Sequence, residues 1–153
     1  MGRMIDALKN LFRPGAEPRS EVPQDVAVAA LLVEAARADG VYDEAERRAV
    51  LRLLQEMFGL NSAEAAALHD QGDEAQQTAP DMVRFTRVIK MALDEGERIG
   101  LIEALWQVVL VDHDRDPHEN ALLRHLAPLI AVSDRDSVAA RQRALALVGP
   151  EAG

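Results

Sequence analysis

Apolar residues recur at intervals of three and four from about residue 24 nearly to the end of the chain, and no segment alternates with the period of two that marks a half-buried strand. The pattern predicts seven main helices, at about 24–38, 43–58, 62–71, 80–93, 96–111, 117–130 and 134–147. Their starts carry side chains able to accept from the free N–H groups of a first turn: Asp43 with Glu46, Asn61 with Glu64, Asp116 with Glu119, and Ser133 with Asp136. Pro117 falls at a first helical position, where its missing N–H costs nothing. Gly40 stands just past the first helix, where a left-handed residue commonly ends one. The expected fold class is all-α, a single-domain bundle over residues 24–148. Residues 1–23 precede it as a short amphipathic helix and the proline-rich linker "RPGAEPRSEVPQ", and residues 149–153 follow as a frayed tail.

The helices fall into two related units. When "ADGVYDEAERRAVLRLLQEMFGLNSAEAA" is laid over "VDHDRDPHENALLRHLAPLIAVSDRDSVAA", Asp39 meets Asp112, Asp43 meets Asp116 and Glu46 meets Glu119, with one residue dropped before the last helix. Each unit reads as a helix, an acidic turn, a second helix and a short third one. Two such units packed face to face would share a core and bring their acidic turns into a related geometry.

Helical phase sets the direction of the carboxylates in those turns. Glu46 shares a stripe with Ala49, Val50, Leu53 and Met57, and Glu119 with Leu122, Leu123, Leu126 and Ile130. Asp39 follows Val28, Leu32 and Ala35, while Asp112 follows Leu101, Leu105 and Val108. All four therefore sit on inward stripes beside helix ends, where an ionised carboxylate must be paired, hydrogen-bonded or bound to a cation. Two readings follow. One is a hard-cation site for Ca²⁺ or Mg²⁺ built from Asp39, Glu46, Asp112 and Glu119, with Asp43, Asp114 and Asp116 at its rim. In the other, helix N-termini stabilise the glutamates, while arginines such as Arg84, Arg87 and Arg98 neutralise the aspartates.

More specific metal motifs fail. "DHDRDPHENALL" begins like an EF-hand loop, but Pro117 stands where glycine must turn and Leu123 where a bidentate glutamate is needed. His113 and His118 lack the paired helical spacing of zinc enzymes. His69 and His125 read as surface or boundary residues, and Trp106, Met57, Met82 and Met91 as core. No phosphate-cradling glycine loop, serine elbow or nucleophile with a neighbouring base occurs, so a non-enzymatic role is expected.

Composition narrows the partners. At 153 residues and 48% hydrophobic, one domain with a substantial core is expected, and with only 3% aromatic residues that core must be aliphatic. A formal charge of -9 disfavours nucleic acid, whose binding draws on clustered Lys and Arg, and favours cations or basic partners. The absence of cysteine removes thiol chemistry and leaves oxygen or imidazole as ligands. No apolar run is long enough to span a bilayer and the start lacks the core of a secretion signal, so a cytoplasmic location is expected. Met4, Ile5, Leu8, Leu11 and Phe12 line one face of residues 1–13 among Arg3, Lys9 and Arg13, a pattern that could touch a membrane surface or pack on the domain's own flank. Basic charge is nearly all arginine, which beside abundant alanine suggests a GC-rich bacterial source.

The apolar helix running into "ADGVYDEAE", the second copy at "VDHDRDPHE" and the "FGL" leading into a further helix together resemble the TerB-like tellurite-resistance family over roughly residues 24–147. Ala38, Asp39 and Gly40 followed by Glu46 match its first signature. The second keeps Asp112 and Glu119 but has Val111 for Ala and His113 for Gly. The resemblance implies an all-helical two-repeat fold with acidic residues gathered on one surface as a divalent-cation site, at Asp39, Asp43, Glu46, Asp112, Asp116 and Glu119. It also implies a role in bacterial stress responses, sometimes at the inner face of the membrane, with an unidentified protein partner. Two function classes stay open: a cation-binding interaction module, and a metal-independent scaffold or membrane-tethered protein that uses its amphipathic head.

Overall fold

A computed structural model describes the backbone of residues 22–38, 40–111 and 117–152, and the side chains of residues 22–38, 40–111 and 121–148. Among the described residues all regular structure is helical: α1 (Gln24–Ala36), α2 (Glu44–Phe58), α3 (Ser62–Thr78), α4 (Val83–Ala92), α5 (Glu95–Val111), α6 (Pro117–Leu129) and α7 (Asp134–Ala152). Among the described residues the expected all-α bundle of seven helices is what forms. The amphipathic head at residues 1–13 lies outside the described residues.

The two-unit organisation is visible in the packing. Within each unit the first helix lies along the third, α1 on α3 and α5 on α7, and the units join where α1 and α2 meet α5. The bridging helix α4 packs on both α1 and α6. Since α1 and α5 each touch four other helices, they are enclosed rather than amphipathic: Val26 through Val33 and Leu101, Ile102 and Ala104 through Leu110 are all buried. A helix apolar on every side belongs at the centre of a bundle.

Helix ends follow the local chemistry. Asp43 caps α2 through a reciprocal box in which its carboxylate accepts from Glu46 N–H at 2.9 Å and the Glu46 carboxylate accepts from Asp43 N–H at 3.1 Å. Asn61 and Glu64 repeat this on α3, and Ser133 Oγ accepts from Asp136 N–H on α7. A further box, Asp94 with Glu97, starts α5 one residue earlier than its apolar pattern suggests, although its spacing matches that of Asp43 with Glu46. The second helix of each unit closes alike. Leu60 N–H returns to Gln55 C=O and Val132 N–H to Ala127 C=O, around left-handed residues Gly59 (φ 65°) and Ala131 (φ 62°). Gly40, at φ 91°, has the positive φ expected after α1.

Two helices outrun their expected ends. α3 continues to Thr78 rather than residue 71 because Gly72, a poor helix former, is where α3 lies closest to α1: a Cβ there would stand 2.5 Å from Ala29 Cβ. α7 runs to Ala152, so the backbone is helical across Gly149 and Pro150 where a frayed tail was expected. Conversely α4 starts at Val83 rather than residue 80, with the Asp81 carboxylate accepting from Val83 N–H.

Candidate functional site

The first acidic turn joins α1 to α2. Asp43 is exposed at the α2 N-cap, whereas Glu46, one turn into the helix, is only 3% exposed, as its inward phase requires. The N–H of Asp43 and the positive end of the helix dipole stabilise the Glu46 carboxylate in that position. Of the other four residues assigned to the cation site, Asp39, Asp112 and Asp116 lie outside the described residues, and Glu119 is placed by its backbone in the first turn of α6 with its side chain outside them. Asp114 and His113 lie outside them likewise, and His118 is placed, like Glu119, by its backbone alone. Among the described residues no group of three His, Asp or Glu side chains could hold a metal ion.

The aspartates that these arginines would neutralise, Asp39 and Asp112, lie outside the described residues. Arg84 and Arg87 are exposed on α4, and Arg98 donates to the Leu93 carbonyl at 2.7 Å. Among the described residues Arg37, at the end of α1, donates to Asp73 of α3 at 2.9 Å.

Arg37 belongs to a polar cluster that sequence reasoning missed. His69 is not a surface residue: it is 3% exposed on α3. Its Nδ1 stands 3.0 Å from an Asp70 carboxylate oxygen, which can only accept, so Nδ1 carries the proton of the neutral ring and Nε2 accepts from the Tyr42 hydroxyl at 2.8 Å. The Tyr42 and His69 rings stack with centroids 5.8 Å apart, and the Arg37 guanidinium covers the other part of the Tyr42 ring environment at 5.1 Å from its centroid. Tyr42 thus ties the acidic turn to α3. The signal was present in the helical phase, since His69 shares a stripe with Ala65 and Gly72, both buried.

Burial raises the Tyr42 phenol well above its ordinary value of 10, and the Asp73 and Glu46 carboxylates add to the rise while Arg47 and Arg37 oppose it. A phenol that holds its proton more tightly when folded contributes stability that is complete below pH 10 and is lost as the pH climbs beyond that value. Tyr42 is therefore a fixed neutral phenol whose hydroxyl keeps its proton while hydrogen-bonding His69.

Of the remaining side chains expected in the core, Trp106 is buried and Met57 and Met82 pack partly buried against the core cluster, but Met91 is 79% exposed on α4. His125 is exposed, as expected. No helix is long and apolar enough to cross a membrane among the described residues.

A family model, tellurite resistance protein TerB, matches residues 25–142, from the second residue of α1 through α6 and into the first half of α7. No curated protein and no solved structure matches the chain.

Proposed function

Because the chain belongs to the TerB family, we propose that it is a non-enzymatic helical module whose paired acidic turns bind a divalent cation, Ca²⁺ or Mg²⁺, and present that face to a protein partner in a bacterial stress response. The observation supporting this is the placement of Glu46. It is a buried carboxylate at the mouth of a helix, one oxygen engaged by Asp43 N–H, at the end of the turn that carries Asp39. The pseudo-repeat sets Glu119 at the same step of α6, with Asp112 and Asp116 in the turn before it. Hard cations take six to eight oxygens, so a site of this kind needs both turns.

One observation favours a second reading, a metal-independent scaffold. The capping box by itself satisfies Asp43 and Glu46, and such boxes need no ion. Glu46→Gln with Glu119→Gln separates the two, because glutamine keeps the oxygen that caps the helix and removes only the charge. Calorimetry with Ca²⁺, Mg²⁺, Mn²⁺ and Zn²⁺ should give saturable heat on the natural chain and none on the double variant. An ion at ten times its Kd should add about 1.4 kcal/mol of stability. Silence in both heat and melting temperature at millimolar ion would leave the scaffold reading. In that case vesicle sedimentation with and without residues 1–20 tests whether the amphipathic head is its active feature.

A further inference from the structure

At the opposite unit, a cleft of about 460 Å³ opens between α5, α6, the turn after α6 and the start of α7. The size suits a small ligand. Trp106 lines it, only 6% exposed, and its indole N–H donates to the Ser137 hydroxyl at 3.2 Å. That hydroxyl is equally buried and its own proton has no acceptor among the described residues. Arg141 lies over the indole at 5.4 Å from the ring centroid, and Arg124 lines the same cleft from α6.

The arginines are the informative feature. Like several other arginines of the chain, Arg124 and Arg141 form no ion pair among the described residues, and these two line one cleft. Stacking on an indole satisfies the face of a guanidinium and leaves its five N–H donors free. The cleft also contains Asp134, so its side chains sum to a single positive charge, which suits a monoanion better than a phosphate dianion. Val132 and the half-exposed Val138 give it an apolar wall.

We propose that this cleft binds an organic monocarboxylate with an apolar body, its carboxylate held by Arg124 and Arg141 and its body lying along Trp106 and Val138. The chemistry is shared by free small acids and by the C-terminal carboxylate of a peptide. None of these residues belongs to the acidic turns, so the failure of cation binding would leave this site unaffected.

Trp106 is the single tryptophan of the chain, so indole emission, excited to the red of tyrosine absorption, reports on this cleft. Titrating the full chain with 3-phenylpropionate should change that emission saturably in the millimolar range or below, while 3-phenylpropionamide, of the same shape without the charge, should not. Arg124→Gln, an exposed substitution that leaves the indole stacking intact, should weaken the acid about tenfold or more. N-acetyl-leucyl-phenylalanine and its amide form the second arm. Tighter binding of the dipeptide acid than of phenylpropionate assigns the site to a chain terminus, and the reverse order assigns it to a small acid. Equal response to acids and amides, no saturation by either acid, or indifference to Arg124→Gln would overturn the proposal.

Discussion

The two units of this bundle share their caps and their helix order but treat the seam between first and third helix differently. In the first unit the seam is shut: Gly72 lets α3 rest on Ala29 of α1, and Tyr42 closes its end by hydrogen bonding to buried His69. In the second unit, the register set by the caps Asn61 and Ser133 puts Ala144 at the place of Gly72 and Arg141 at the place of His69. The positions of Val33 and Ala65, both buried and apolar, are taken by the hydrogen-bonded pair Trp106 and Ser137. The helices α5 and α7 pack as extensively as α1 and α3, but the indole with its polar partner and the arginine stacked on it line a cleft at the edge of this seam. The lesson is that duplication preserved the local rules that start and stop helices, which act within a few residues, while the side chains across each seam were free to serve different ends.

The strongest way to break this comparison is to change the small residue in each seam. Gly72→Ala puts a methyl where Ala29 already stands and should cost about 2–3 kcal/mol in urea denaturation. Adding Ala29→Gly should recover much of that loss, as contacting sites are not additive. The counterpart Ala144→Gly should cost about 1.5–2 kcal/mol for a different reason, a lost buried methyl plus glycine's helix penalty, with no rescue from across the seam. A neutral Gly72→Ala would show that the first seam is not shut.

The polar ends of the seams give the next contrast. Tyr42→Phe leaves His69 Nε2 buried without its donor and should cost about 1–2 kcal/mol at neutral pH. Arg141→Gln, which loses only a stacked cation, should cost about 0.5–1 kcal/mol. Tyr42 is also the single tyrosine, so phenolate absorbance follows it directly: it should ionise above 10 in the folded chain and at its ordinary value in urea.

The last contrast is one of sign, at the ends of α2 and α6, where both units turn through a left-handed residue. Gly59→Ala should destabilise by about 1 kcal/mol and Ala131→Gly should stabilise by about as much, because both residues are left-handed and only glycine adopts that conformation without strain. Thermal melts of the pair would check the opposite signs.

Helix number, most helix starts and the pairing of the two units were legible in the amino-acid pattern, because a box such as Asp43 with Glu46 or Asn61 with Glu64 is made by residues three apart and does not depend on the rest of the fold. The inward phase of Glu46 was legible for the same reason. What the pattern missed was decided between helices. Nothing local to Gly72 says that α3 should run through it; only the proximity of Ala29 does. His69 becomes a buried acceptor only when Tyr42 arrives from another element, and Arg37 reaches Asp73 because α1 ends beside α3. Short-range hydrogen bonds and periodicity are properties of the chain, so the sequence alone determined the elements. Which faces meet, how closely, and which charges are left without a partner depend on residues tens of positions apart, and only the tertiary structure decided them.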